Sequence, residues 1–201
     1  MPAALADSTL YRQLFGDSTA DFFTDTIEIR AMLLVEGTLA RVQGQMGLIP
    51  QDAADAIDRA AREVQIDPVG LARETATNGV PVPGLVAAFR KAMQAPEHAQ
   101  YVHWGATSQD IMDTGLALRL RGVVQSWDER LGTLLGALSA LARAHADLPM
   151  AARTYGQAAT PTSFGAVVAG WGRPILRHRD RLHALIPDLA MVSLGGAAGT
   201  L

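Results

Sequence analysis

Three features of this sequence predict an all-α protein. No stretch alternates apolar and polar residues as a half-buried strand would. Apolar residues recur at alternating spacings of three and four at Met32, Val35, Leu39, Val42 and Met46. From Ser108 to about Ala146 a helical pattern continues with only scattered glycines. Residues 1–107 read as an N-terminal helical domain and residues 108–201 as the first part of a central long-helix bundle domain.

Met1 to Asp21 has little periodicity, with one helical turn expected around Ser8 to Leu14 and an exposed arginine at Arg12. Asp25-Thr26-Ile27-Glu28 then offers a cap followed by an acidic residue, opening an amphipathic helix that Gly47 closes and Pro50 stops. Asp52 to Val64 mixes small apolar and charged residues at helical spacing and reads as a surface helix. Asp67-Pro68 opens a short helix through about Glu74, and Asn78-Gly79 breaks the chain. Val80-Pro81-Val82-Pro83-Gly84 is expected to be extended or turn-like, because proline lacks a backbone donor and biases its predecessor away from helix. A helix then fits Leu85 to Gln94.

The helix from Ser108 spans roughly 55 Å at about 1.5 Å per residue. Its apolar residues include Leu116, Leu120, Val123, Trp127, Leu131, Leu134, Leu138 and Leu141, widened by Leu118, Val124 and Leu135. A stripe that wide is packed on more than one side, as in the centre of a bundle. A second long helix is expected from about Ser163 to Ile186, with Phe164, Val168, Trp171, Ile175, Leu182 and Leu185 inward, a kink from Pro174 and a stop at Pro187. Leu194 to Leu201 reads as flexible.

Composition excludes several classes of function. Net charge is -3 without a basic block, so neither nucleic acid nor an anionic membrane surface is an expected partner. There is no cysteine, hence no disulfide, thiolate metal site or cysteine nucleophile. No apolar run reaches the roughly 18 residues of a membrane span and no leader pattern opens the chain, so a cytoplasmic protein is expected. No metal site is expected either: His98 and His103, like His178 and His183, are five apart and so do not share a helix face.

Tyr101 to Asp113 is the stretch with chemical content. It places His103, Gly105 and the hydroxyls of Thr107 and Ser108 ahead of the longest helical pattern, with Asp110 and Asp113 in its first turn. Thr107-x-x-Asp110 fits a capping box. Free N–H groups and hydroxyls converging there suit an anion such as a carboxylate, with His103 close enough to exchange a proton. A plain capped helix beside a surface histidine is the other reading. Downstream, Arg153-Thr154-Tyr155-Gly156-Gln157 is a polar run without helical periodicity, which capping at Ser163 does not explain.

His103-Trp104-Gly105-Ala106-Thr107-Ser108-Gln109-Asp110 resembles the first signature region of the fumarase/aspartase superfamily, in the form carried by its adenylosuccinate lyase and carboxymuconate cycloisomerase branches. Arg153 to Gly165 resembles the second region, usually Arg-Thr-His-x-Gln-x-Ala-x-Pro-Thr-Thr-Phe-Gly. The resemblance covers essentially the whole chain. It implies a bundle of long helices and a homotetramer whose active sites are shared between subunits. It also implies a small polycarboxylate substrate and no cofactor. On this resemblance His103 is the catalytic acid or orients it, and Thr107, Ser108, Gln109, Arg153, Thr154, Tyr155 and Gln157 bind substrate.

Tyr155 departs from the pattern, because the carbon–nitrogen lyases carry histidine there. A phenol is a poor proton shuttle near neutrality. The cycloisomerase branch also lacks that histidine, so lactonisation is the expected reaction. An adenylosuccinate-type lyase and a non-catalytic helical oligomerisation module are the alternatives. The superfamily's third region, a serine-bearing loop, has no counterpart in these residues. The resemblance therefore implies the N-terminal half of a longer enzyme, with part of the active site lacking.

Overall fold

The computed structural model describes residue 14 and residues 18–200. The turn expected around Ser8 to Leu14 lies outside them except for Leu14, as does Arg12. The all-α expectation is borne out: helices α1 (Asp25–Gln45), α2 (Gln51–Glu63), α3 (Pro68–Asn78), α4 (Val82–Met93), α5 (Pro96–Ala99), α6 (Ser108–Ala144) and α7 (Phe164–Leu189) account for most of the described residues. A 3-10 helix, Ser18–Phe23, precedes α1. Two short strands, β1 (Pro149–Thr154) and β2 (Gln157–Ser163), join α6 to α7. Among the described residues no helix is long and apolar enough to cross a membrane.

The chain divides into two compact units, one of residues 1–122 with 190–201 and one of residues 123–189. In the first unit, Thr24 rather than Asp25 caps α1, its side chain accepting from the Ile27 N–H. The buried face of α1 also differs from the expected seam. Val42 and Met46 are exposed, whereas Ile29, Met32, Leu33, Glu36, Gly37, Ala40 and Gly44 are buried. Close approach of α2 selects this face: a Cβ at Gly37 would lie 2.7 Å from the Ala61 Cβ, and one at Gly44 would collide with the Ala54 methyl. Small residues thus bring two helix backbones together where bulkier apolar ones would hold them apart.

Arg30 closes the other end of this pair by donating to the carbonyl oxygens of Ala61 and Arg62 in the last turn of α2. Leu71 from α3, Val82, Leu85, Val86 and Phe89 from α4 and Ile111 from α6 complete the core. Val82, Pro83 and Gly84 belong to α4, contrary to the extended segment expected. Proline at the first turn of a helix loses only a donor that had no intrahelical partner. Asp67 caps α3 and Gly79, at φ 76°, ends it, four residues beyond the stop expected near Glu74.

In the second unit, α7 continues past Pro187 to Leu189, and Trp171 and Leu185 are exposed rather than inward. Asp128 on α6 accepts from Arg179 Nε at 2.6 Å and lies 2.6 Å from His183 Nε2, both on α7. The Arg179 hydrogen bond outweighs partial burial and, with His183, holds the Asp128 carboxyl down at about 2. Gly165 donates its N–H to the His145 carbonyl at 2.9 Å. A Cβ on Gly165 would overlap the Ala142 carbonyl and stand 2.8 Å from the Ala146 Cα.

This last contact is rigid backbone, so Gly165→Ala is expected to destabilise by about 1–3 kcal/mol in chemical denaturation followed by circular dichroism. Gly170, with nothing within 4 Å of its would-be Cβ, is the control: Gly170→Ala is expected to be neutral or to stabilise by up to about 1 kcal/mol.

Candidate functional site

The first motif loop is braced from two helices. Its backbone carbonyls at Val102 and Trp104 accept from Arg90 on α4 at 2.8 Å and from Gln43 on α1 at 2.7 Å. The ring of Trp104 leans on Tyr101, with centroids 5.6 Å apart. His103 takes φ 64° and Gly105 φ 72°. The left-handed conformation costs a non-glycine residue about 1–2 kcal/mol, and the surrounding hydrogen bonds hold His103 in it. Its Nδ1 lies 2.7 Å from Oε1 of Glu36, a carboxylate on α1 with only 1% of its surface exposed.

Half of the expected capping box forms at the start of α6: Asp110 Oδ2 accepts from the Thr107 N–H at 2.9 Å, while the Asp110 N–H donates to the Thr107 backbone carbonyl at 3.1 Å. The N–H groups of Ser108 and Gln109, in the first turn of the helix, have no intrahelical acceptor. Thr107 and Ser108 are half-buried, while Gln109 is exposed and donates to Asp113 Oδ1 at 2.6 Å.

Asp110 does more than accept from Thr107. Gly195 and Gly196 also donate their N–H groups to it, at 2.9 and 3.0 Å. Ser193 and Thr114 exchange a further pair of hydrogen bonds at 3.0 and 3.1 Å. The segment expected to be flexible from Leu194 is thus tied to the first turn of α6 at Gly195 and Gly196, and Ser193 just before it to Thr114. Burial pushes the Asp110 carboxyl up. The backbone donors Gly195, Thr107 and Gly196, helped by the charge of His103, overcome this and hold it below its ordinary value.

The second motif forms a β-hairpin, which the sequence reading missed. Thr154 pairs with Gln157 across a two-residue turn, Arg153 pairs with Ala158, and a bulge separates Ala151 from Arg153. Both turn residues have positive φ, 50° at Tyr155 and 75° at Gly156. Such turns match the twist of paired strands. Arg153, Thr154, Tyr155 and Gln157 therefore stand together at one exposed end, with Tyr155 fully exposed. Two groups of expected site residues result: His103, Thr107, Ser108 and Gln109 in the first unit, and the hairpin residues in the second.

The lyase family's sequence profile matches residues 10–201. This chain belongs to the lyase family. Among its relatives, a 3-carboxy-cis,cis-muconate cycloisomerase of Pseudomonas putida is 42% identical over 90% of this chain and 43% of the relative. A nitrosuccinate lyase of Streptomyces davaonensis is 42% identical over 99% of this chain and 42% of the relative. The crystal structure of a 3-carboxy-cis,cis-muconate lactonizing enzyme from Pseudomonas putida superposes with a TM-score of 0.85 at 40% identity, covering 91% of this chain and 42% of that one. The chain thus spans about two fifths of the length of these lyases. The superfamily assignment read from the two motifs is borne out.

Two residues that hold the lyase motif in place escaped the sequence reading. Glu36 and Gln43 are seven apart on α1, and both reach the loop at 103–104. A charged residue inside an otherwise apolar helix face, at Glu36, was the available signal.

The tie between Asp110 and residues 195–196 carries a pH dependence. The folded carboxyl lies below its ordinary 3.8, so the stabilisation is complete above that value and is lost as pH falls through the folded one. Hydrogen exchange at the Gly195 and Gly196 amides is expected to be protected at pH 7 and to accelerate below about pH 4 relative to other slow amides. Asp110→Asn is expected to accelerate it at pH 7 and to remove the acid-dependent step.

Proposed function

We propose that this chain supplies two of the substrate-holding segments and the proton-transfer histidine of a 3-carboxy-cis,cis-muconate cycloisomerase. The reaction forms 4-carboxymuconolactone, a step in the protocatechuate branch of aromatic degradation by the β-ketoadipate route. One substrate carboxylate oxygen bonds to a carbon of the conjugated diene, and a proton is delivered to the adjacent carbon. Atoms and charge balance without a redox partner. The protein's task is to fold the triacid, hold the spectator carboxylates and move one proton.

The observation that carries the reading is His103, a residue at positive φ whose partly exposed imidazole is held against a buried carboxylate beside the N-terminus of α6. Thr107, Ser108 and the first N–H groups of α6 suit a carboxylate. Arg153, Thr154, Tyr155 and Gln157 are the second carboxylate-binding group. Tyr155, where the carbon–nitrogen lyases carry histidine, supports lactonisation over elimination.

An assembly of several copies, most simply a homotetramer with shared sites, fits the same features. The second group stands on an exposed hairpin end, and Trp127, Leu134 and Leu141 on α6 with Trp171, Leu176 and Leu185 on α7 are exposed. Elimination from a substituted succinate is the second reading, favoured by the match to the nitrosuccinate lyase across 99% of the chain.

The test is ultraviolet loss of conjugated carboxymuconate, run on the gene's full product beside fumarate release from nitrosuccinate and adenylosuccinate. His103→Asn is expected to lower kcat by about a hundredfold or more; an effect confined to KM would leave His103 a binding role only. Light scattering at tens of micromolar, roughly, is expected to give the mass of an oligomer, and a monodisperse monomer would overturn the shared site.

A further inference from the structure

We propose that Glu36 is a positioning residue that decides which nitrogen of His103 meets the substrate; the proposal rests on the proton-transfer role given to His103 above. Glu36 lies in the middle of α1 on a buried face whose other members are Ile29, Ala31, Met32, Leu33, Gly37, Ala40 and Gly44. Its Oε1 is 2.7 Å from His103 Nδ1, and its Oε2 has no hydrogen-bond partner among the described residues. The His103 side chain keeps 20% of its surface exposed, against 1% for Glu36. The pair is therefore polar at its buried end and open at the imidazole.

A fold-stabilising role does not account for this arrangement. A buried carboxylate with a single donor is costly, and an apolar side chain of similar volume would pack α1 at least as well. A local rule broken without gain to the fold points to the site it serves. The gain here is at the ring. An ionised carboxylate can only accept, so the hydrogen of the neutral imidazole sits on Nδ1 and Nε2 is left with its lone pair. Once His103 takes up a proton, Nε2–H becomes the donor and the negative charge of Glu36 stabilises the imidazolium. One hydrogen bond thus supports both proton uptake and proton delivery at the same atom.

Orientation follows from the same contact. Gln43 and Arg90 fix the loop backbone through the Trp104 and Val102 carbonyls, but neither restrains the ring of His103. The bond from Nδ1 to Glu36 removes that rotation. Proton transfer to carbon needs this, because a misplacement of about 1 Å costs on the order of a hundredfold in rate.

The chain has five histidines, so nitrogen-15 spectra of the histidine-labelled protein are tractable, with His103 assigned by its loss in His103→Asn. Wild-type His103 is expected to carry its proton on Nδ1 when neutral, and Glu36→Gln, whose amide can donate to Nδ1 instead, is expected to shift it toward Nε2. In the gene's full product, Glu36→Gln is expected to lower kcat by about tenfold or more with KM changed less than about threefold. In a His103→Asn background the same change is expected to add nothing. A wild-type proton on Nε2 overturns the proposal. So does an unchanged kcat in both Glu36→Gln and Glu36→Leu. If the parent turns over no carboxymuconate while the tautomer moves as expected in Glu36→Gln, the positioning stands and only the reaction assigned above fails.

Discussion

A carboxylate taken out of water must find donors, and Asp110 finds three of them in backbone N–H groups, one of which precedes the second unit in sequence while the other two follow it. Thr107 comes from the motif loop, and Gly195 and Gly196 come from the segment that returns after α7. The bond to Thr107 starts the long helix; the bonds to the two glycines close the unit. Their sum exceeds the cost of burial and holds the carboxyl below its ordinary value. The proposed anion-binding end of α6 depends on this, because its free N–H groups are useful only if the helix begins at one defined residue.

The same economy of contacts governs the motif loop. Three side chains from two helices, Glu36 and Gln43 on α1 and Arg90 on α4, reach residues 102–104. The position of α1 is in turn set by Gly37 and Gly44 against α2. A ring held to this degree at a left-handed residue is pre-organised before any ligand arrives. The chain of causes therefore runs from small residues at a helix crossing to one imidazole nitrogen.

The hairpin works on another principle. Its strands bury almost nothing, and two prolines, Pro149 and Pro161, sit in them. Both strands of a two-stranded ribbon are edges, so prolines are tolerated. What holds the hairpin is its register and the Tyr155–Gly156 turn, which together set Arg153, Thr154 and Gln157 at one end. The sequence offered little sign of this. Alternation marks a strand only when one face is buried, and here neither is; Gly156 was the one turn signal, without the asparagine or aspartate that usually accompanies it.

By itself the sequence determined the helical class, the extents of α1, α2 and α6 to within a few residues, the capping contact between Thr107 and Asp110, and, through two motifs, the lyase family. Each of these is a local property: periodicity, capping and turn chemistry act over a few residues and can be read along the chain. Only the tertiary structure decided that Val82 to Gly84 are helical, which face of α1 is buried, that Ser193 to Gly196 are tied to α6, and that Glu36 stands behind His103 across 67 positions of sequence. Those outcomes depend on which surfaces meet, and a helix with apolar residues on more than one side leaves that choice to packing.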